Sequence, residues 1–244
     1  MSKPLFGDRK RFGLSVQSED PDWKEWGKRY LDFYYVNQKA SVGKVVNDAG
    51  YEVLRSVSMD QKRILEIGPG DIPHFRFWNG KPQRYVMADI SNDMLAKSEV
   101  TLRKNKIPYE MIHLARKDAN KLPFPDKSFD MILSFYSLEH IADLSMYVDE
   151  LIRVLTPGGI LVGAIPCEGG LGWGLGRFIT SRRWLLKNTT IDPDKIICWE
   201  HPGFADQILD VLQKRLNEKY LSFWPLKIAL VDFNLVIKFI YERK

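Results

Sequence analysis

Two carboxylates and a pair of glycines are the residues of this chain whose spacing best suits chemistry. Glu66 closes the short apolar run 64–67, and Gly68 and Gly70 follow it one residue apart. Glycine permits a tight turn and lets a ligand approach the bare backbone. Asp89 lies 19 residues after Gly70, at the end of a second apolar run. A carboxylate at that point can hold both hydroxyls of a ribose, so the pattern indicates a nucleoside site.

The elements that must position these residues alternate between strand and helix patterns. Short apolar runs predict buried strands, and apolar residues at helical spacing predict helices. The predicted strands cover residues 64–67, 85–90, 109–114, 129–135, 160–165, 221–224 and 235–241. The predicted helices between them cover residues 92–105, 141–155 and 204–220. This alternation is typical of βαβ units and predicts an α/β fold with a mostly parallel sheet.

Two segments lie outside this alternation. Residues 1–57 are predicted to form an N-terminal helical lead-in, and the aromatic side chains at helical spacing over 23–34 suit either plain packing or a lid over a site. The main domain is predicted to cover residues 58–244. Within it, residues 166–202 lack a regular pattern and are long for a connection, so we interpret them as a functional insertion on the substrate side. The glycine-rich stretch 169–176 is expected to be flexible and to expose backbone amides.

Composition limits the classes of function. The 244 residues carry 36 basic and 31 acidic side chains, a formal net charge of +5. This mild excess permits an anionic substrate, and without a basic block no nucleic-acid partner is expected. Two cysteines, Cys167 and Cys198, indicate no disulfide framework. Because no signal-peptide core or membrane-length apolar run is present, we expect a cytoplasmic protein without a transmembrane segment. Packing at a sheet edge explains the apolar tail 223–239, and the oligomeric state is left open.

Five motifs in order give the chain a resemblance to a known family. They are E-I-G-P-G at 66–70, M-A-D-I-S at 87–91, D-A-N-K-L-P-F-P-D-K-S-F-D at 118–130, S-L-E-H-I at 137–141 and R-V-L-T-P-G-G at 153–159. With these motifs the sequence resembles the class I S-adenosylmethionine-dependent methyltransferases, in particular their small-molecule branch. The resemblance covers residues 62–166.

The resemblance implies a fold, a cofactor and a set of contacts. The fold would be a Rossmann-like, seven-stranded, mostly parallel sheet with an antiparallel last strand and helices on both faces. The cofactor would be S-adenosylmethionine, with S-adenosylhomocysteine as product and no metal. The implied cofactor-binding residues are Glu66, Gly68, Gly70, Asp89, Ile90, Asp118, Ala119, Ser134 and Phe135. In the family's pattern Glu66 and the glycines line the methionine part, Asp89 holds the ribose, and Asp118 accepts from the adenine amino group.

One position departs from the family's pattern and keeps other functions open. The family often has a third glycine where this chain has Ile72. The nicotinamide fingerprint G-x-G-x-x-G also lacks its third glycine here, and the segment after Gly70 is too short for the long helix that would bind a pyrophosphate. A nicotinamide-dependent oxidoreductase is therefore the least favoured alternative. A non-catalytic S-adenosylmethionine-binding partner protein is the other.

Methyl transfer to a hydroxyl needs a base, and two histidines are candidates. His140 follows the fourth predicted strand on the ligand side, and His201 precedes the helix predicted to begin at Phe204, whose N-terminus would favour the neutral imidazole. The predicted insertion supplies the candidate substrate contacts Trp173, Arg177, Arg182 and Arg183. Basic and aromatic side chains together suit O-methylation of a small or glycan-like, anionic acceptor, or else form a solvated basic loop with core tryptophans. The insertion and tail also loosely resemble methyltransferases of bacterial surface-polysaccharide pathways.

Overall fold

The strands of the computed structural model form one sheet. The model describes residues 3–34, 41–114 and 121–244. In this part of the chain the strands are β1 (Arg63–Ile67), β2 (Arg84–Asp89), β3 (Tyr109–His113), β4 (Phe129–Phe135), β5 (Leu155–Pro166), β6 (Leu216–Trp224) and β7 (Val236–Arg243). Their order is β3-β2-β1-β4-β5-β7-β6. Only β7 runs antiparallel to its neighbours, and the other pairs are parallel. The predicted seven-stranded sheet with an antiparallel last strand is confirmed.

Helices cover both faces of the sheet. In the described ranges they are α1 (Lys3–Phe6), α2 (Arg9–Phe12), α3 (Pro21–Phe33), α4 (Ser41–Tyr51), α5 (Asn92–Lys104), α6 (Leu144–Val154), α7 (Leu171–Arg177), α8 (Arg183–Asn188), α9 (Pro193–Glu200) and α10 (Ala205–Arg215). Val46 of α4 and Leu102 of α5 are buried in one apolar core. Leu151 of α6 and Leu212 of α10 are buried in the core on the opposite face.

The helix after β2 forms as its sequence predicts. Ser91 is the N-cap, and its hydroxyl accepts the amide of Met94 at 3.3 Å. Met94, Leu95, Ser98 and Leu102 are buried on one face. The brief helix expected between β1 and β2 is a short 3₁₀ turn, Phe75–Phe77.

Three predicted boundaries were wrong, one because of a local cap and two because of strand pairing. The helix expected from residue 141 begins at Leu144, where the side chain of Asp143 caps it. The fifth strand begins at Leu155, which pairs with Phe129 across a register shift, and not at residue 160. The helix expected to run to residue 220 ends at Arg215, because pairing with the last strand begins at the next residue.

The prediction that residues 166–202 lack regular structure was also wrong. This segment contains α7, a π-helical turn (Phe178–Arg182), α8 and α9. A Cβ on Gly174 would lie 3.1 Å from both Leu5 and Phe6, so a glycine here permits the N-terminal segment to pack closely against α7. The expected flexible loop with exposed amides is therefore a packed helix.

The N-terminal helices and this segment pack on each other and form what we call the cap, consisting of α1–α3 with α7–α9. The indole of Trp26 in α3 donates to Glu200 Oε1 of α9 at 2.6 Å. Trp26 and Phe33 share an apolar cluster with Leu185. The division of the chain at residue 57 stays a prediction, as does the lid suggested for the aromatic helix.

The tail does not bury all of its apolar residues. Phe223 and Phe239 pack in the core as expected at a sheet edge. The connection between β6 and β7 instead leaves Leu226, Ile228, Leu230 and Phe233 about half exposed. Both cysteines are buried thiols. In the described ranges, none of the helices combines the length and the apolar character needed to cross a bilayer.

Candidate functional site

The glycine turn after β1 is tied to its neighbours through its backbone. Gly68 and Gly70 have φ angles of 65° and 62°, in the left-handed region where a Cβ would be strained. The Gly68 amide donates to the carbonyl of Ala88 at 2.9 Å. The Ser98 hydroxyl donates to the carbonyl of Gly70 at 2.7 Å. The turn is thereby held between β2 and α5, at the carboxyl edge of the sheet where open α/β folds bind ligands.

Ile72 takes up the left-handed conformation at the position where a third glycine is common. Its φ is 52°, and its side chain is only 2% exposed. A β-branched residue in this region is strained by about 1–2 kcal/mol. Burial of the side chain offsets that strain, since burying an Ile contributes about 1.5–3 kcal/mol. The turn therefore keeps a left-handed geometry without the glycine.

The carboxylate of Glu66 faces the protein interior. The Tyr85 hydroxyl donates to Oε2, and Nε2 of His74 lies 2.7 Å from Oε1, although it is not aligned for a hydrogen bond. Glu66 is 1% exposed, and both of its oxygens contact neighbouring side chains. A direct contact between this carboxylate and a cofactor stays a prediction. The sequence carries no signal that pairs His74 with Glu66.

Asp89 and Ile90 lie together at the end of β2, where the ribose and adenine were expected. Oδ1 of Asp89 accepts the amide of Ser91 at 2.7 Å. Burial raises the pKa of Asp89, because it disfavours the ionised carboxylate. The side chain of Ile90 is 45% exposed beside it. An apolar side chain kept in solvent next to a half-buried acid suits a nucleoside with its flat base.

The other predicted cofactor-binding residues differ in their positions relative to the glycine turn. Asp118 and Ala119 lie outside the described residues. Ser134 is buried, and its hydroxyl is 2.6 Å from that of Ser137, whose Cβ lies 3.3 Å from the position of a Cβ on Gly68. The chain after β4 therefore reaches the glycine turn. Phe135 is buried against the ring of His74, with centroids 5.2 Å apart, so its side chain belongs to the core beneath the turn.

Tyr34, at the end of the aromatic segment, lies over the turn, and the ring of Tyr30 packs beside it. The Tyr34 hydroxyl donates to Oδ1 of Asp71 at 3.3 Å, and a Cβ on Gly70 would lie 3.2 Å from it. Burial raises the pKa of Tyr34, with a further contribution from Asp71. Burial also raises the pKa of Tyr30, and Glu200, Asp89 and Glu139 add to the effect. The end of the aromatic segment therefore contacts the glycine turn, and a lid over the nucleoside site stays a prediction.

The two candidate bases lie side by side. The imidazoles of His140 and His201 are 4.8 Å apart between centroids, with their planes at 59°. Nδ1 of His140 donates to the carbonyl of Glu200 and lies 3.4 Å from that residue's Oε2. Burial lowers the pKa of His140, but the carboxylates of Glu139 and Glu200 outweigh it, and the net pKa is raised. The charges around the pair favour an imidazole that takes up a proton.

Glu139 was not singled out by its sequence, yet it completes this cluster. It is 2% exposed, and its Oε1 is 4.0 Å from Nε2 of His140. Its Oε2 has no hydrogen-bond partner among the residues described. Burial raises the pKa of Glu139, because an ionised carboxylate is poorly solvated there. Within the same ranges, no group of His, Cys, Asp and Glu could hold a metal ion.

The carboxylate of Glu168 links the cap to the second histidine. Glu168 is fully buried and accepts two bonds from Arg177, at 2.8 and 2.9 Å, and one from the indole of Trp173 at 2.9 Å. Nδ1 of His201 lies 3.1 Å from it. Burial alone would raise the pKa of Glu168, but Arg177 and His201 overcome it and lower the pKa to about 2. His201 thus has a glutamate as a charged neighbour and is itself the C-cap residue of α9, while an effect of the following helix N-terminus stays a prediction.

The four residues predicted to bind substrate differ in whether their side chains are already bonded within the protein. The guanidinium of Arg177 also donates to the carbonyl of Leu5 at 2.8 Å, so its charge is used inside the protein together with Trp173. Arg182 is paired with Asp194. Arg183 is exposed. Substrate binding by these residues stays a prediction, and Arg183 is the member of the set whose charge faces solvent.

Comparison with known proteins decides the family of this site. Residues 65–163 match the family model described as a methyltransferase domain. A curated relative, the ubiquinone/menaquinone biosynthesis C-methyltransferase UbiE of Vibrio parahaemolyticus, is 36% identical over 104 residues, which are 41% of this chain and 40% of the relative. The region 65–163 is a class I, S-adenosylmethionine-dependent methyltransferase domain.

Solved structures extend the likeness to the fold. The PH0226 protein of Pyrococcus horikoshii superposes with a TM-score of 0.58 at 17% identity, covering 89% of this chain and 99% of that one. An S-adenosylmethionine-dependent methyltransferase of Mesorhizobium loti superposes with a TM-score of 0.54 at 18% identity, covering 81% and 100%. The chain spans about 40% of the length of the curated relatives it matches.

The residues of the methyltransferase domain fit the cofactor that this family implies, S-adenosylmethionine. Asp89 and Ile90 would hold its nucleoside, and the turn at Gly68 and Gly70 would hold its amino-acid part. The space above Gly70 is a cradle that a Cβ would fill, since Tyr34 approaches it so closely. The bound cofactor would supply a methyl group on a positively charged sulfur. The donors and acceptors of this chain would bind and orient it, and the cap would limit its contact with water.

Proposed function

We propose that this protein transfers a methyl group from S-adenosylmethionine to a small, neutral acceptor that gives up a proton to His140. The observation that carries the proposal is the imidazole pair at the end of β4, with carboxylates on both sides. Methyl transfer needs an electron-rich acceptor atom held in line with the sulfur–methyl bond. A neutral hydroxyl becomes such an atom when a neighbouring base removes its proton.

The charges around the pair favour a neutral acceptor over the anionic one that the sequence suggested. Glu139, Glu168 and Glu200 surround His140 and His201. The cations nearest to them, Arg177 and Arg9, are bonded to protein groups: Arg177 to Glu168, and Arg9 to the carbonyls of His201 and Pro202 at 2.7 and 2.9 Å. An acceptor that carries a negative charge would be repelled by these glutamates. A glycan-like acceptor is compatible with this arrangement only if it is uncharged.

A phenol or an enol fits the arrangement best. Either has a weakly acidic O–H, and its conjugate base shares negative charge between the oxygen and the carbon next to the C–O carbon. His140 would take the O–H proton, the acceptor atom would form the new bond to the methyl carbon, and the electrons of the sulfur–methyl bond would return to sulfur. The same acceptor anion leads to O-methylation or to C-methylation. The name of the curated relatives, which are C-methyltransferases, supports this class of acceptor.

The proposal is tested first by binding. Calorimetry with S-adenosylhomocysteine should show a complex, and Asp89→Asn should weaken it by about 10- to 100-fold, because a charge-assisted hydrogen bond contributes about 1.5–3 kcal/mol. Asp93→Asn is the matched control, since Asp93 is exposed on the first turn of α5. NADH should not bind.

Transfer of a labelled methyl group to a panel of phenols, enols and uncharged sugars should then reveal turnover. Analysis of the product would identify the methylated atom. Absence of S-adenosylhomocysteine binding would refute the proposal at its cofactor. A non-catalytic binding protein would be favoured if S-adenosylhomocysteine binds, no acceptor is methylated, and His140→Gln behaves like the wild type in both measurements.

A further inference from the structure

The outer face of the cap carries an unusual run of exposed apolar side chains. Residues 171–188 form α7, the π-helical turn and α8 without a break. The exposed apolar residues on this run are Leu171, Leu175, Phe178, Ile179 and Leu186. Their exposed fractions range from 43% for Phe178 to 65% for Ile179. Spacings of four, three, one and seven residues place them along one side of the helical run.

The opposite side of the same helical run is buried in the protein. Gly174 packs against Leu5 and Phe6, Arg177 is bonded to Glu168, and Leu185 is 3% exposed in the apolar cluster of the cap. The helices are therefore fixed in orientation. Their exposed apolar side chains face outward because the inner side is already packed.

The connection between β6 and β7 extends this apolar face. The side chain of the fully buried Asn234 accepts the amide of Leu226 at 2.8 Å and donates to the carbonyls of Ile228 and Leu230 at 3.0 and 2.8 Å. Oδ1 of Asp232 accepts the amide of Leu171 at 3.1 Å, which joins the connection to the start of α7. The backbone is thus held by internal bonds while four apolar side chains, Leu226, Ile228, Leu230 and Phe233, stay about half exposed.

The exposed charges on the helical run of this face are positive. Residues 169–191 contain four basic side chains and no acidic one. Two of them, Arg177 and Arg182, are paired with Glu168 and Asp194. Arg183 and Lys187 are exposed and have no ion pair among the described residues. Lys227 adds a third exposed cation, and two acidic residues lie at the margin: Asp232, bonded to the Leu171 amide, and Asp206, which lines the same recess as Leu230 and Phe233.

We infer that this face, defined by residues 171–188 and 226–233, docks on an anionic lipid surface. Apolar side chains flanked by Lys and Arg are the pattern by which a helix lies in the interfacial region of a membrane. Apolar residues enter the boundary between headgroups and acyl chains, and the cations contact anionic headgroups. A protein partner of ordinary composition would not require the one-sided positive charge. Large exposed apolar patches on soluble proteins mark interaction sites.

The docking face lies on the same side of the molecule as the catalytic edge. The helical run begins shortly after β5, at the carboxyl end of the sheet. Glu168 accepts a bond from the indole of Trp173 in this run, and it also lies 3.1 Å from Nδ1 of His201. Docking would therefore place the cap between the lipid and the site. The inference concerns binding alone and holds whether or not the proposed methyl transfer is correct.

Sedimentation with vesicles tests the inference directly on the full chain. Vesicles containing one-third phosphatidylglycerol in phosphatidylcholine should carry the protein down, and pure phosphatidylcholine should retain much less. Arg183→Gln/Lys187→Gln should weaken binding to the anionic vesicles by about 30-fold, at roughly fivefold for each basic residue, and binding should fall with added salt. Lys104→Gln/Lys106→Gln removes the same charge from an exposed surface elsewhere and should have little effect.

A second variant pair tests the apolar part. Leu175→Ser/Ile179→Ser should reduce binding at least tenfold, whereas Val100→Ser, which alters a side chain 67% exposed on α5, should not. Equal binding of wild type and both double variants, or no binding to anionic vesicles, would overturn the inference. So would sedimentation velocity showing a dimer that Leu175→Ser/Ile179→Ser dissociates, because the face would then be covered by a second copy.

Discussion

The imidazoles of His140 and His201 lie against each other, and each is in contact with a different glutamate. His140 bonds to the backbone of Glu200 and is close to its carboxylate, while His201 lies 3.1 Å from Glu168. Two neighbouring imidazoles cannot both be charged without repulsion. The carboxylates of Glu139 and Glu200 nevertheless raise the pKa of His140, so the pH at which it becomes a neutral base is raised.

The pH dependence of methyl transfer should report this arrangement. The pKa of His140 is raised by Glu139 and Glu200, and a base works only when neutral, so kcat should fall as the pH drops through a value above the ordinary 6.5 or so. Glu200→Gln should move that acidic limb to lower pH, since it removes a charge but keeps the backbone bond. Rate profiles of the two proteins measure the shift.

Two further variants test this prediction, one at the proposed base and one at a control position. His140→Gln should reduce kcat by about 10²- to 10⁴-fold with little change in the binding of S-adenosylhomocysteine. Glu19→Gln, at a highly exposed carboxylate on the surface, should leave the profile in place. An acidic limb that is identical in wild type and Glu200→Gln would show that His140 is not the titrating base.

Gly70 of the glycine turn can be compared with Gly158, which lies elsewhere and has a similar backbone conformation. Gly70 and Gly158 have φ angles of 62° and 72°, so alanine is strained at either one, by about 1–2 kcal/mol. Only at Gly70 does the new Cβ meet a neighbour, the Tyr34 hydroxyl at 3.2 Å; at Gly158 there is nothing within 4 Å. Both variants should unfold at lower urea concentration. Only Gly70→Ala should also bind S-adenosylhomocysteine more weakly, by about tenfold or more in calorimetry.

Equal affinity of the two variants would mean that the space over Gly70 is not used by the ligand. A loss of affinity in Gly158→Ala would show instead that general destabilisation, and not the cradle, controls binding.

The buried pair of Glu168 and Arg177 should dominate the stability of the cap. Glu168→Gln leaves the guanidinium with an uncompensated charge, and removing one partner of a buried pair is destabilising by about 3–5 kcal/mol. Urea unfolding at neutral pH measures the change in the free energy of unfolding. Glu168→Gln/Arg177→Met should recover part of the loss, because it removes the second charge too.

The same pair predicts how stability depends on acid. The folded-state pKa of Glu168 is lowered to about 2, so its contribution is fully present above the ordinary carboxyl pKa and is lost as the pH falls toward 2. A depression of this size corresponds to about 3 kcal/mol. Wild type should therefore lose more stability than Glu168→Gln between about pH 5 and pH 2. Parallel pH curves for the two proteins would contradict this assignment.

Ile72 should reverse the usual order of alanine and glycine. In most buried positions glycine is less stable than alanine by about 0.5–1 kcal/mol, because it has more freedom in the unfolded chain. At Ile72, with φ at 52°, alanine keeps the strain and glycine relieves it. Both variants lose the buried side chain and about 2–5 kcal/mol. Urea unfolding should nevertheless show Ile72→Gly to be as stable as Ile72→Ala or more so, and a clear advantage for alanine would mean that the turn relaxes.

Much of the fold could be predicted from the sequence, because its signals are local. The run at 64–67 and the glycines after it need only their own neighbours to define a strand and a turn, and Ser91 caps α5 by itself. These features define the first strand, the turn after it and the start of α5 as the structure has them. Where the prediction failed, the deciding contact was distant. The glycine-rich stretch at 169–176 is helical because Gly174 packs against a residue near the start of the chain.

The candidate site shows the same division. Asp89 follows its strand directly, and its place could be read from spacing. The carboxylates that surround His140 come from separate segments of the chain, and no sequence interval relates Glu139 to Glu168 or Glu200. Glu66 shows a limit of a second kind, because its position at the strand end was right, whereas the direction of its carboxylate depends on His74 and Tyr85.

The buried carboxylate of Glu168 has a consequence for how this protein can evolve. One side chain accepts from Trp173 and Arg177 and lies 3.1 Å from Nδ1 of His201, so a change at position 168 alone alters the surroundings of all three. Substitutions at these four positions are therefore expected to occur together across relatives that keep this cap. Homologues that lack the glutamate should also have an uncharged residue in place of Arg177, and the histidine beside the catalytic edge should vary with them.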